Sequence, residues 1–507
     1  MEKASQDPSG LWKLAKWAKN RGNTRQGFTP AIQRPDGTIA QDPGEKAKLL
    51  ADSFFPKPPE ANLEDIQDFN YEAHHNRMRA YRNHNLNLPP DDKDPFCPPI
   101  TPREFQKALL GAKAGKAPGN TGIPNQVLHL ALGALQPLLL PAMDFCLRHG
   151  IHPNNWKTSI TITLRKTGKD DYTKPKSYQP IALLDTIGKI MESIIAIRIS
   201  YWVEHYHLLP MDHIGGRKMR GVEHALHLLM ECIHSIISSR TTTRKAKVAS
   251  LLMLDVSGAF DNVSHERLLH NLKKCQIPTQ VLDWIKDFLQ HRKTVIKLPE
   301  LTSTEMDTPT GIPQGSPLSP ILYLFYNADL IEELSNGGQT MGWIDDVGLL
   351  VEGDSAEANC QKIENMLGTA YQWADQHASV FAPEKFAITH FCKDKKQDLT
   401  AKLHTQGITV EPAEAIRVLG IHLDSRLTFL PHARKLEETA TKRLGAMAAI
   451  AGSTWGFSLT DMQKVYLGAV VPQVFFGSSV WLALGSAGSG VKTSQTKILQ
   501  ILTKIQK

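Results

Sequence analysis

Long hydrophobic runs are missing from this 507-residue chain: it has no stretch of 18 or more uninterrupted apolar residues, so no membrane-spanning helix is expected. The opening segment, MEKASQDPSGLWKLAKWAKN, scatters its charges and lacks an apolar core before a small-residue cleavage site. It does not read as a secretory signal, and an intracellular protein is expected. Cysteine is sparse: Cys97, Cys146, Cys232, Cys275, Cys360 and Cys392 lie far apart, with no C-x-x-C pair and no Cys/His spacing suited to zinc. That excludes a zinc ribbon or finger and predicts reduced, mostly buried thiols. Internal repeats and low-complexity tracts are absent too. The charge excess is slight, a formal +7 with a pI near 8.9, which suits a polyanionic partner without identifying one. What is present is a 41% hydrophobic chain, long enough for two or three packed units.

Residues 1–95 are broken by proline and glycine and read as an extension with modest structure, helical in short pieces such as 45–55. From Thr101 the pattern firms. T-P-R-E predicts a helix start with Thr101 as N-cap, Pro102 at N1 and Glu104 at N3, running to about Ala112. ITITL (160–164) and VASLLML (248–254) have the length of strands, and the second ends on Asp255. A Gly-containing acidic loop and a helix from about His265 follow. Residues 340–351 hold two apolar stretches around Asp345 and Asp346, which predicts a β-hairpin with acids at its tip. Helical patterns run over 355–376 and 431–450, and the tail after 485 joins a small-residue segment to a basic amphipathic stretch.

One aspartate ending a strand and two at a neighbouring hairpin tip would gather three carboxylates, although 90 positions separate Asp255 from Asp345. Such oxygen donors suit a pair of hard divalent cations about 4 Å apart, which can activate a 3′-hydroxyl and neutralise a pyrophosphate leaving group. Alone, an aspartate at a strand end or in a turn is more often a turn former or cap. Two side by side repel unless a cation joins them.

DVSGAFDNVSHERLL, GIPQGSPLSPILYLFYNADL and GWIDDVGLLV resemble the successive palm motifs of reverse transcriptases of non-LTR (LINE-like) retrotransposons, in a flavour like that of fungal elements. AGKAPGNTGIPNQVLHLA and LRKTGKDDYTKPKSYQPIALLDTIGKIMESIIAIRI resemble the family's fingers motifs; FAPEKFAITHF and VLGIHLDSRLTF resemble its later palm and primer-grip motifs. The likeness covers roughly residues 10–505. It implies an α+β right-hand polymerase: an extension (1–95), fingers and finger/palm region (96–245), a palm with an antiparallel sheet and primer-grip hairpin (246–430), and a helical thumb (431–507). The implied activity is RNA-directed DNA synthesis from a primer 3′-hydroxyl with Mg²⁺ or Mn²⁺. Its partners would be an RNA template, a DNA primer and deoxynucleoside triphosphates, in the nucleus and with no membrane, the oligomeric state being left open.

By the same resemblance, Asp255, Asp345 and Asp346 would hold two metal ions, and Lys385 would protonate the leaving pyrophosphate. Lys166 and the position of Gln179 would face the triphosphate. Phe260 would lie beneath the sugar and exclude a 2′-hydroxyl, its plainer reading being a core phenylalanine. Gln314 and Gly315 would lie along the incoming nucleotide and template, Gly by allowing close approach and Gln by hydrogen bonding. Residues 416–429, centred on Leu419 and Gly420, would grip the primer; Arg434, Lys435, Lys442 and Arg443 would track phosphates, though such a charged face is more often merely solvated.

Three departures stand out. The family's Y-R-P-I reads Tyr178, Gln179, Pro180, Ile181 here, replacing a charged donor by a neutral amide. Trp343 and Ile344 precede the paired aspartates. The endonuclease that commonly precedes this region and the RNase H or nucleic-acid-binding segments that often follow it are not visible, which predicts a truncated copy, an incomplete gene product or an excised domain. Two other readings compete: an impaired remnant that only binds RNA or RNA/DNA duplex, and an RNA-directed RNA polymerase, against which Phe260 speaks.

Overall fold

The computed structural model describes residues 29–57, 60–85, 94–166, 169–240, 246–450, 456–482 and 496–503. The charged opening segment lies outside them, as does the tail after 482 apart from helical 496–503. In chain order, the helices that position the site are α1 (Pro43–Phe54), α2 (Pro102–Gly111), α3 (Thr186–His205), α4 (Val222–Ser238), α5 (His265–Lys274), α6 (Ser319–Tyr326), α7 (Ala328–Ser335), α8 (Ala356–Gln376) and α9 (Leu430–Ala448). The strands are β1 (Thr158–Arg165), β2 (Tyr178–Leu183), β3 (Val248–Leu254), β4 (Lys293–Lys297), β5 (Met306–Asp307), β6 (Gln339–Trp343), β7 (Asp346–Gly353), β8 (Ala387–Phe391), β9 (Ala415–Val418) and β10 (Ile421–Asp424).

The fold is α+β. A central antiparallel sheet has the order β8-β3-β7-β6. The second sheet has the order β2-β1-β4-β5, with β1 and β4 parallel and its other pairs antiparallel. β3 reads as an unbroken apolar run because both its faces are covered. Ala249 and Leu251 pack with α4 and the β9–β10 hairpin, while Leu252 and Leu254 pack with α7 and α8. Each fully buried leucine contributes about 1.5–3 kcal/mol, so a one-residue slip that exchanged the faces would misplace every one of them.

The local signals act as read. Thr101 accepts from the Glu104 N–H while Glu104 reaches back 2.9 Å to the Thr101 N–H, and α2 ends at Gly111. Ser355 caps α8 through the Ala358 N–H, and Pro431 sits in the first turn of α9. Near the start of the chain, Asp42 caps α1, whose Ala47, Leu50 and Phe54 share a buried cluster with Tyr178 and Ile296 of the second sheet. All six cysteines are free, three of them buried and three half-buried. Among the described residues no helix is long and apolar enough to cross a membrane.

Candidate active site

Register builds the centre of the site. Leu254 pairs with Val347 across β3 and β7, and Trp343 pairs with Asp346 across β6 and β7. One further step along the β3–β7 ladder sets Asp255 across from Asp346. The β6–β7 connection is then the two-residue turn Ile344–Asp345, so the three carboxylates meet at one end of the sheet.

That turn is held under strain. Ile344 has φ +57°, a left-handed conformation that costs a β-branched residue about 1–3 kcal/mol. The surrounding structure supports it: Asn327 donates to the Ile344 carbonyl at 2.7 Å, and residues 212–215 bind the β6 edge. There the Ile214 N–H reaches the Gly342 carbonyl at 2.8 Å, and the Gly342 N–H reaches the Asp212 carbonyl at 2.9 Å. A Cβ on Gly215 would lie 2.6 Å from the Trp343 Cα and 2.8 Å from the Ile344 nitrogen. Gly215→Ala is therefore expected to cost about 1–3 kcal/mol by forcing the hairpin outward, read as a lower denaturation midpoint. An unchanged midpoint would mean that this strip does not brace the hairpin.

The carboxylates feel one another. Burial and repulsion from Asp255 hold Asp345 above the usual carboxylate range. Burial, then Asp345 and Asp255, push Asp346 up to about 6, against a pull from Arg417. Both side chains still reach solvent. Lys385 Nζ lies 3.1 Å from Asp255 Oδ1, because the Ala382 N–H binds the Asp255 carbonyl at 3.0 Å and a short 3₁₀ turn, Pro383–Lys385, follows. An exposed pair of this kind adds little stability, so its interest is chemical. Among the described residues no group of three or more His, Cys, Asp or Glu side chains is closed enough to hold a metal ion as it stands. The donor set nonetheless fits one: it is all oxygen, mutually repelling and open to solvent, with Lys385 supplying the only ion pair made by Asp255 among the described residues.

Around this centre lie the other candidates. Lys166, exposed just after β1, is lowered by burial and by the neighbouring Lys169 and Lys385, which together form a cationic mouth beside the carboxylates. Gln179 is exposed on β2 opposite Leu164. Phe260 is half-buried and stacks on Tyr323 of α6 with ring centroids 5.2 Å apart and 12° between planes, so it packs on the core and keeps part of its surface exposed. Gln314 Nε2 donates to Asp261 at 2.9 Å, and the Gln314 carbonyl accepts from the Ala182 N–H at 2.8 Å. Gly315, at φ +143°, lies so close to the Ala182 carbonyl that a Cβ would collide with it. The close approach this glycine permits is thus to the chain's own β2.

β9 and β10 form the expected hairpin, turned by Leu419 and Gly420, both at positive φ. The basic face of α9 is less free than its composition implies. Lys435 and Lys442 share Glu438 at 2.9 and 2.6 Å, and Arg443 donates to the Ala469 carbonyl at 2.5 Å, which leaves Arg434 exposed.

Lys169, Asp261, Gly215 and Arg417 were not singled out from sequence. Only Arg417 carried a readable signal there: it alternates with buried Ile416 and Val418 and so must point away from the core. The types of a cysteine hydrolase also meet in the interior, with Cys360 Sγ 4.0 Å from His390 Nε2 and Asn359 nearby. Burial pushes that thiol up to about 11, and His390 Nε2 is bound to the Ala401 carbonyl at 3.0 Å. This group is a packed polar core and not a nucleophile.

Residues 164–423 match the family described as reverse transcriptase (RNA-dependent DNA polymerase). The chain is 24% identical, over 97% of its length and 53% of the relative's, to the probable RNA-directed DNA polymerase from transposon BS of Drosophila melanogaster. It is 25% identical, over 97% of its length and 52% of the relative's, to the RNA-directed DNA polymerase from mobile element jockey of the same fly. With the probable RNA-directed DNA polymerase from transposon X-element, also of that fly, it shares 26% identity over 80% of its own length and 44% of the relative's. The chain thus spans about half the length of the curated relatives it matches.

Proposed function

This chain belongs to the reverse transcriptase (RNA-dependent DNA polymerase) family of non-LTR retrotransposons, and on that footing we propose that it extends a primer 3′-hydroxyl with deoxynucleotides on an RNA template. The observation that carries the reading is the register of β3, β7 and β6, which puts Asp255, Asp345 and Asp346 at one end of the central sheet. In this reading the central sheet belongs to a palm (246–430), the β1–β2 sheet to fingers (96–245) and α9 to a thumb (431–507), preceded by an extension (1–95). The nucleus would be its place of work.

Asp255, Asp345 and Asp346 would hold divalent ions, Mg²⁺ or Mn²⁺, which when bound supply charge neutralisation at the attacking and leaving oxygens. The remaining work falls to the chain. Lys166 and Lys169 draw the triphosphate to the mouth of the site by charge alone. Lys385 keeps a proton at Nζ beside Asp255, within reach of a leaving oxygen. Phe260, backed by Tyr323, occupies the space a 2′-hydroxyl would need. The β9–β10 hairpin and Arg417 flank the primer end, and the half-exposed Gln314 faces the nucleotide.

The test is primer extension on an RNA template with all four deoxynucleotides. Gln179→Arg is expected to lower KM for deoxynucleotide roughly ten- to a hundred-fold, because a guanidinium at this exposed position beside Lys166 adds a charge-assisted contact of about 1.5–3 kcal/mol. An unchanged KM would take Gln179 out of the nucleotide site. Background extension by the unmodified protein with duplex binding intact would favour the binding-only reading, and preferential ribonucleotide incorporation would replace DNA synthesis by RNA synthesis.

A further inference from the structure

Two carboxylates that the mechanism above does not use converge on one turn of the site. Asp261, partly buried in the loop after β3, accepts from Gln314 Nε2 at 2.9 Å. Glu192 of α3, only 1% exposed, accepts from Ser316 Oγ at 2.5 Å, and that same hydroxyl accepts from the Leu318 N–H at 3.0 Å. Between them the Gln314 carbonyl and Gly315 are pressed on Ala182 of β2, while the Ile312 N–H binds the Phe260 carbonyl at 2.8 Å. A buried acid is costly unless it is bonded; burial raises Glu192, and the Ser316 hydroxyl with the nearby Arg292 and Lys189 charges offsets that cost.

The bond to Asp261 also fixes the polarity of Gln314. Burial pushes Asp261 up to about 6, against the pull of the Gln314 bond and of Lys166, so above that pH it is ionised and only accepts. The Gln314 amide then turns its NH₂ inward; flipped, its oxygen would face Asp261 Oδ1 as a second acceptor. Oε1 is left over, and among the described residues it accepts no hydrogen bond. A ligand in the cleft therefore meets an acceptor in a set position.

We propose that Asp261 and Glu192 are positioning residues that clamp the 314–316 turn from two sides, so that Gln314 presents its amide oxygen to a hydrogen-bond donor on the incoming nucleotide. The donor is either the sugar 3′-hydroxyl or an amino or imino group of the base. This rests on the polymerase reading, because only there does a nucleotide lie along Gln314.

The experiment measures KM and kcat for deoxynucleotide, and the unfolding midpoint, in the unmodified protein, Asp261→Leu, Gln314→Met and the double variant. Each single change is expected to raise KM about tenfold with kcat nearly unchanged. The double variant should be no worse than either single one, because both remove the same oriented acceptor. Asp261→Asn keeps an acceptor for Nε2 and should restore most of the affinity. Ser316→Ala, which leaves Glu192 unpaired, should shift KM in the same direction. With a 2′,3′-dideoxynucleotide the Asp261→Leu effect vanishes if the donor is the sugar hydroxyl and persists if it is the base; either result supports the acceptor role. Additive singles, or a kcat loss that follows the midpoint with KM unchanged, would reduce Asp261 to a structural residue and overturn the proposal. If the unmodified protein extends no primer, the polymerase reading fails first. Uncoupled unfolding midpoints for Asp261 and Gln314 would then defeat the clamp as well.

Discussion

Asp345→Asn is expected to abolish primer extension, lowering turnover on the order of 10³-fold or more, while leaving the metal-free protein folded and somewhat more stable. The loss follows from taking away one of three oxygen donors at a site whose charge stabilisation contributes several kcal/mol to the barrier. The gain follows from the direction of the pKa shifts. Asp345 is held above the ordinary carboxylate value by burial and the charge of Asp255, and Asp346 is pushed up to about 6 by burial and the charges of Asp345 and Asp255. The folded protein therefore binds these protons more tightly than the unfolded chain, and stability at this site rises as pH falls from above 6 towards 4. At neutral pH the site is charged and strained, and an amide removes part of the repulsion. Two measurements check this: denaturation midpoints of both proteins with and without Mg²⁺ or Mn²⁺, and extension rates. The unmodified protein should gain stability from the ion and the variant should not. A variant that still extends primers would remove Asp345 from the reaction.

Phe260→Val should lower discrimination against ribonucleotides on the order of 10- to 100-fold, measured as the ratio of kcat/KM for deoxy- and ribonucleotide. The size of the effect rests on the rigidity of the ring. Stacked on Tyr323, which is wholly buried in α6, and with its own backbone carbonyl bound by Ile312, Phe260 cannot retreat from an added hydroxyl. Valine removes the ring stacked on Tyr323 while keeping a branched apolar side chain at this half-exposed position. An unchanged ratio would leave Phe260 as core packing alone.

What could be read before folding was whatever depends on near neighbours along the chain. The capping box at Thr101, the helical pattern over 355–376, the apolar run of β3 and the paired acids between two apolar stretches are all local requirements, and the chain honours them where they occur. The order of motifs was legible for the same reason, and with it the family. The free run of positive charge on α9 was legible only as composition. Its partial neutralisation by Glu438 follows helical spacing, but the bond from Arg443 to Ala469 needed a second helix brought alongside.

The site itself was decided by tertiary structure. Asp255 meets Asp346 because β3 lies beside β7 in one particular register, and that register is set by which side chains each face buries. Lys385 reaches Asp255 across 130 positions, Glu192 reaches Ser316 across 124, and Gly215 braces a hairpin more than a hundred residues away. No periodicity along the chain encodes such meetings. The sequence by itself determined the residue types, the local elements and the order in which they come. Which carboxylates share a charge, which glycine must stay bare and which acid orients Gln314 were settled only when distant segments packed, because burial and hydrogen bonding act through space.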